Sequence, residues 1–161
     1  MELKKYQKHT LESLSAFMDL MNSKNSITEA YECYWNNQNV LVGFGGVPTY
    51  KDQIKGVPHI CFKIPTGGGK TFVACSSLKI IFDKMPSSKK KVVVWLVPSD
   101  SILEQTISVL KNPSHPYRQR IDMDFNSRVE VYTKKELLAG KNFNVSSVNE
   151  QLSILDRKSV V

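Results

Sequence analysis

The feature that most constrains this chain is a run of three glycines at residues 67–69, which is followed at once by Lys70 and Thr71. The segment before it, "HICFKI" at residues 59–64, has the composition of a strand. The segment after it, residues 72–85, has the apolar content of a buried helix. A glycine-rich turn between a strand and a helix gathers backbone N–H groups and the positive end of the helix dipole around one point. The sequence therefore predicts a phosphate-binding loop.

Each part of this loop has a predicted role. The glycines allow positive φ angles and a close approach of the backbone to phosphate groups. Lys70 places a positive charge on the β and γ phosphates of a nucleotide, and the Thr71 hydroxyl completes the coordination shell of Mg²⁺. Lys70 is the one residue of the sequence with a predicted catalytic role. The predicted nucleotide-binding residues of the loop are Thr66, Gly67, Gly68, Gly69, Lys70 and Thr71.

The loop departs from the strict phosphate-loop pattern at one position. That pattern has glycine five residues before the last glycine, where this chain has Ile64. A glycine turn without a ligand is the alternative interpretation, but the order of strand, Gly-Lys-Thr and helix favours phosphate binding. Small-molecule kinases and GTPases use the same loop, so the loop alone does not identify the reaction.

Strand and helix patterns alternate after the loop. The apolar run "KVVVWLVP" is typical of a parallel strand that is buried on both faces. "SDSILEQTISVL" predicts a helix with a capping box at Ser101 and Glu104, "RVEVYT" predicts a strand, and "KKELLAG" predicts a short helix closed by Gly140. Two helices, over residues 3–21 and 27–35, precede the loop. This order predicts an α/β fold with a parallel sheet flanked by helices and an N-terminal helical segment.

Composition narrows the class of protein. No window is apolar over the length of a bilayer and no signal-peptide pattern is present, so we expect no membrane association and a cytoplasmic location. Cys33, Cys61 and Cys75 lack metal-binding spacing, and we expect reduced, mostly buried thiols. The net charge of +7 is compatible with a nucleic-acid partner, although the densest basic cluster, residues 89–91, is typical of a solvated loop.

A second motif, "VPSDSILEQT" at residues 97–106, follows "PTGGGKT" at residues 65–71. Together the two motifs resemble the first motor domain of superfamily 2 helicases and translocases. The resemblance implies a P-loop NTPase fold of the RecA-like type, in which Pro98 and Ser99 contact the sugar–phosphate backbone of DNA. Ser99 could instead only cap the helix that follows.

That family often has an N-terminal glutamine that recognises adenine through its side-chain amide. "LKKYQKHTLESL" is similar to this element and has Gln7 in the corresponding place, next to Tyr6. The resemblance therefore implies that Gln7 binds the adenine of ATP. An ordinary exposed helix residue is the alternative.

"GVPHICFKIPTGGGKT", "VPSDSILEQT" and "LKNPSHPYRQ" together are similar to the Res subunit of type III restriction enzymes, over residues 6–155. This resemblance implies that ATP hydrolysis drives DNA translocation and cleavage in the full-length protein. It also implies ATP and Mg²⁺ as cofactors, and double-stranded DNA and a modification methyltransferase subunit as partners. His115, within the third segment, is interpreted as an ordinary loop histidine.

The resemblance also implies an Asp-Glu pair after an apolar strand, and the sequence contains no Asp-Glu pair. Asp122 and Asp124 follow polar and basic residues, so "QRIDMDFN" is interpreted as a loop. We therefore expect residues 1–155 to be the N-terminal part of an incomplete first RecA-like motor domain. Residues 156–161, "DRKSVV", are what the sequencing adapter GATCGGAAGAGCGTCGTG encodes, and they predict a tail that is not native.

Two alternatives to a restriction helicase follow from the same residues. The first is a phosphotransferase, such as a small-molecule kinase, which leaves "VPSDSILEQT" and the Gln7 region unexplained. The second is a truncated and inactive chain that only binds nucleotide or DNA.

Overall fold

The computed structural model describes residues 1–85, 90–140, 143–144 and 146–158. It divides the chain into two compact units, residues 2–73 and residues 74–161 together with Met1. Within the described residues, the elements in chain order are α1 (Lys5–Ser23), α2 (Ile27–Asn37), α3 (Lys70–Lys84), β1 (Val92–Val97), α4 (Asp100–Lys111), α5 (Pro116–Asp124), β2 (Val129–Thr133), α6 (Lys134–Leu138), a 3-10 helix (Ser147–Asn149) and β3 (Leu152–Lys158).

The first unit is built on α1 and α2, which confirms both predicted N-terminal helices to within two residues at each end. The buried face of α1 has the predicted spacing and includes Leu11, Leu14, Phe17 and Met18. α2 begins after Ser26, whose hydroxyl accepts a hydrogen bond from the Glu29 amide. The rings of Phe17 and Tyr34 meet edge to face and join the two helices.

The strand predicted for "HICFKI" is wrong. Residues 57–65 have no strand assignment, and Ile60 and Phe62 are each 39% exposed. A strand forms only where a neighbouring backbone accepts and donates its ladder of hydrogen bonds. Within residues 59–64, the described backbone hydrogen bond is the one that the His59 amide donates to the Tyr50 hydroxyl. A strand-like composition is therefore present without a ladder that would make it a strand.

The second unit contains a three-stranded parallel sheet in the order β1-β3-β2. β3 is the central strand: its Ile154 lies opposite Val93 of β1 and Val131 of β2. Helices pack on this sheet, and the predicted α/β class with a parallel sheet flanked by helices is confirmed. The core consists of Cys75, Leu78, Leu110, Ile121, Val129, Val131, Leu152 and Ile154.

Two helix predictions need correction in this unit. α4 begins at Asp100, two residues before the predicted start, because the Ser99 hydroxyl accepts a hydrogen bond from the Ile102 amide and caps the helix. The predicted capping box at Ser101 and Glu104 is therefore wrong. α6 has a capping box that was not predicted, formed by Thr133 and Glu136.

"QRIDMDFN" was also interpreted wrongly as a loop, since most of it lies in α5. The helix starts with Pro116 at its first position, and the Nδ1 atom of His115 accepts a hydrogen bond from the Tyr117 amide. Polar residues form this helix because Arg118 pairs with Asp122 one turn later, at 2.9 Å. His115 thus lies in the loop before α5, as predicted, and also caps the helix.

The cysteine prediction is correct in part. All three thiols are free, but only Cys75 is buried, whereas Cys33 is half-buried and Cys61 is exposed in the segment that forms no strand. None of the helices in the described part of the chain has the length and apolar content needed to cross a membrane. Of the basic cluster at residues 89–91, Lys89 lies outside the described residues.

Candidate nucleotide-binding site

The glycine run forms a tight turn directly before α3. Gly67 and Gly69 have φ angles of 74° and 72°, a conformation that side chains rarely adopt. A Cβ atom on Gly68 would lie 2.6 Å from the Cγ2 atom of Ile64 and 2.8 Å from the Pro65 carbonyl oxygen. Each of the three positions therefore requires glycine, two for their backbone angles and one for lack of space.

Lys70 and Thr71 occupy the first turn of α3. The first amides of a helix have no acceptor within it and lie at its positive end, so they are available to an anion. The Lys70 ammonium donates to the Pro65 carbonyl oxygen at 3.1 Å, and the Gly68 amide donates to the same oxygen at 3.0 Å. The lysine side chain thus lies along the loop, where a phosphate group could accept its hydrogen bond in place of Pro65.

Helix α1 holds the other side of the loop. The Tyr6 hydroxyl and the Gln7 side-chain amide both donate to the Gly68 carbonyl oxygen, at 2.8 and 3.0 Å. The Oε1 atom of Gln7 accepts from the Lys4 backbone amide at 2.9 Å. Gln7 and the phosphate loop, which are 61 residues apart in the sequence, therefore form one hydrogen-bonded group.

This geometry bears on the two interpretations of Gln7. The interpretation of Gln7 as an ordinary exposed helix residue is wrong, because Gln7 is only 3% exposed. The adenine contact stays a prediction. Each end of the Gln7 amide has a protein partner, so an adenine contact would use the second amide hydrogen and the second lone pair, or would replace a bond that exists.

Pro98 and Ser99 belong to the second unit and follow the last residue of β1. Pro98 is exposed, and Ser99 is half-buried at the N-terminus of α4. The Ser99 hydroxyl caps α4, as one of its two predicted roles requires. Its contact with the DNA backbone stays a prediction.

Sequence reasoning missed Asp156, which it assigned to a tail. The structure places it in the central strand β3, opposite Trp95 of β1 and opposite Thr133, the last residue of β2. Asp156 is 2% exposed, and within the described residues neither carboxylate oxygen accepts a hydrogen bond. Burial raises the pKa of this carboxyl to about 6. The apolar run of β3 that ends in an aspartate was the signal for this residue.

The described residues fit a phosphate chain better than a metal centre of their own. Among them, no group of three or more His, Cys, Asp or Glu side chains is placed to hold a metal ion. The turn around Gly68 admits no side chain, and the half-buried Thr71 hydroxyl follows Lys70 in the first turn of α3. This donor set suits Mg²⁺ that arrives with a nucleotide, because the phosphates and water then supply most ligands.

The chain was compared with known protein families. The family model described as "Type III restriction enzyme, res subunit" matches residues 1–159. The resemblance to the Res subunit, which rests on "GVPHICFKIPTGGGKT", "VPSDSILEQT" and "LKNPSHPYRQ", is thereby confirmed. The parallel sheet flanked by helices agrees with the predicted P-loop fold class. Comparison with curated proteins and with solved structures found no significant match.

Proposed function

The chain belongs to the type III restriction enzyme res subunit family, and from that premise we propose that it is the ATP-binding part of a DNA helicase or translocase that restricts DNA. Members of this family are helicase-type, ATP-dependent enzymes. The observation that carries the proposal is the glycine turn at residues 67–69, which leads directly into Lys70 and Thr71 at the N-terminus of α3.

We assign the binding of ATP to the loop and the first turn of α3. The amides of the loop and of α3 donate to phosphate oxygens, and Lys70 exchanges its bond with Pro65 for one with the β or γ phosphate. The Thr71 hydroxyl is the protein ligand for Mg²⁺. When bound, this ion neutralises phosphate charge and polarises the terminal phosphoryl group. Thr66 and the glycines position the backbone around the phosphates.

We assign contact with double-stranded DNA to Pro98 and Ser99, as the family resemblance implies. Their place after β1 supports this, because ligands of parallel sheets bind beyond the carboxyl ends of the strands. The net charge of +7 favours the same partner. A modification methyltransferase subunit is the second partner that we propose, on the family alone.

We further propose that the chain of 161 residues binds ATP without hydrolysing it. Hydrolysis in this class needs one carboxylate on the metal side and a second to orient water. In β3, Asp156 is followed by Arg157 where the second carboxylate would stand. The side chain of Arg157 cannot accept a proton from water, so it cannot take the part of that second carboxylate.

Equilibrium binding of ATP with Mg²⁺ tests the proposal directly. We expect wild type to bind, and Lys70→Ala to weaken binding at least about tenfold, since a charged hydrogen bond contributes roughly 1.5–3 kcal/mol. Lys79→Ala is the matched control. It removes the same charge from the same helix, but Lys79 pairs with Asp83 and is 46% exposed. Equal affinities of wild type and Lys70→Ala would refute the assignment.

DNA and the phosphotransferase alternative are tested separately. Fluorescence anisotropy with duplex DNA should show binding that weakens steeply with salt, as phosphate contacts require. Transfer of the γ phosphate from ATP to a metabolite, with no effect of DNA, would instead favour the phosphotransferase. In the full-length gene product, DNA-stimulated ATPase activity that survives Lys70→Ala would contradict the proposed role of Lys70.

A further inference from the structure

The Gly68 carbonyl oxygen accepts two hydrogen bonds from consecutive residues of α1, Tyr6 and Gln7. We propose that these two side chains are positioning residues that hold the phosphate loop in its binding geometry before any nucleotide arrives. In this role they serve the phosphates and not the base. This role deepens the proposed function and rests on it only for the measurements of ligand affinity, since the loop can be held in place whether or not a nucleotide binds.

The two donors are themselves held firmly. Gln7 is 3% exposed, and its Oε1 atom is fixed by the Lys4 amide at 2.9 Å, which leaves its Nε2 atom directed at Gly68. α1 is anchored by its own buried apolar face, which includes Leu11 and Leu14. The loop is therefore attached to a rigid helix through a buried amide and a tyrosine hydroxyl.

Because the peptide bond is planar, the hydrogen bonds to the Gly68 carbonyl also fix the direction of the amide that follows it. In a trans peptide the carbonyl of one residue and the amide of the next point in opposite directions. The Gly68 carbonyl is held toward α1, so the Gly69 amide of the same peptide points away from α1. An amide that is oriented in advance needs no reordering when an anion binds, which raises affinity.

The space around the loop supports the same role. A Cβ atom on Gly69 would lie 2.7 Å from the Nε2 atom of Gln7. Gln7 thus fills the position that a side chain would need, and the loop backbone packs directly on its amide.

The test compares three ligands in Mg²⁺: ATP, GTP and inorganic tripolyphosphate. Tyr6→Phe removes one hydroxyl, and Gln7→Glu keeps the acceptor for Lys4 but removes the donor to Gly68. We expect Tyr6→Phe to lose about fivefold in affinity for all three ligands alike, the typical net value of one hydrogen bond. Gln7→Glu should lose at least as much, again for all three ligands, because it also places a carboxylate oxygen against the Gly68 carbonyl oxygen. Tyr31→Phe is the matched control, since its hydroxyl donates to the Pro48 carbonyl oxygen at 2.8 Å, away from the loop.

Amide hydrogen exchange without ligand is the second measurement. The Gly68 amide donates to Pro65, so its exchange rate reports the order of the loop. We expect faster exchange in Tyr6→Phe and Gln7→Glu, and no change in Tyr31→Phe. Circular dichroism of each variant shows whether its helices remain intact.

The outcomes separate the inference from the proposed function. Loss of ATP affinity alone in Gln7→Glu, with Tyr6→Phe unchanged, would overturn the positioning role and support adenine recognition. Unchanged exchange of the Gly68 amide in both variants would also overturn it. If wild type binds none of the three ligands but exchange accelerates in both variants, the positioning role holds and the nucleotide function fails.

Discussion

The buried carboxyl of Asp156 should lower the free energy of unfolding as the pH rises, and replacing it with asparagine should abolish that loss. The carboxyl is 2% exposed in β3, and its oxygens have no hydrogen-bond donor among the described residues. Burial raises its pKa from 3.8 to about 6, and the nearby Arg157 amide opposes the rise only in part. The perturbation Asp156→Asn removes the charge and keeps the shape of the side chain.

The sign and size follow from the shift in pKa. The folded chain holds the Asp156 proton more tightly than the unfolded chain does. The contribution of this proton to the free energy of unfolding is therefore fully present below pH 3.8 and is lost as the pH rises through about 6. The shift is about 2 units, and each unit corresponds to about 1.4 kcal/mol, so the loss is at most about 3 kcal/mol. Asp156→Asn should therefore stabilise the fold by up to about 3 kcal/mol at pH 8, and by less than about 1 kcal/mol at pH 4.

Urea denaturation at pH 4 and pH 8 measures the difference in free energy of unfolding. Asp52→Asn is the control, since Asp52 is exposed and the substitution removes the same charge without relieving burial. A gain in Asp156→Asn that is equal at the two pH values would show that ionisation is not its cause. No gain at pH 8 would show that the carboxyl is solvated in the folded chain, and the reasoning from burial would be refuted.

The remaining predictions concern a helix cap and a thiol. Ser99→Ala should lower the free energy of unfolding by about 1 kcal/mol, because it removes the cap of α4. Ser101→Ala, at an exposed position, should change it by less than about 0.5 kcal/mol. Urea denaturation measures both variants, and equal effects would contradict the cap. Burial raises the pKa of the Cys75 thiol to about 12, so a disulfide reagent at pH 8 should modify the exposed Cys61 at once and Cys75 only on unfolding. Mass spectrometry of the peptides shows which thiol has reacted, and rapid modification of Cys75 in the folded chain would contradict its burial.

The helices show how far local patterns reach. The apolar spacing of α1 predicted its buried face correctly, and the order of elements predicted the parallel sheet. α5 was missed because its apolar content is low and its stability comes from pairs such as Arg118 with Asp122, which a search for apolar periodicity ignores. The start of α4 was misplaced because two serines compete for the cap, and only the backbone angles select Ser99.

In the candidate site, too, the sequence predicted the local features and missed the contacts between distant residues. The three glycines and Lys70 were found from sequence, since a phosphate loop is a contiguous motif whose residues act through their own backbone. The contact of Gln7 with Gly68 spans 61 residues, so no local pattern could reveal it. The burial of Asp156 was hidden for a similar reason, because it depends on the strands that flank β3.

By itself, then, the sequence determined the glycine turn before α3, the positions of most helices and the parallel character of the sheet. These depend on side-chain type and short-range spacing, which act before the chain is folded. Only the tertiary structure decided that β3 lies between β1 and β2, that "HICFKI" forms no ladder, and that Tyr6 and Gln7 donate to the Gly68 carbonyl oxygen. Strand pairing and burial are interactions between distant parts of the chain, and their outcome depends on which partners the fold brings together.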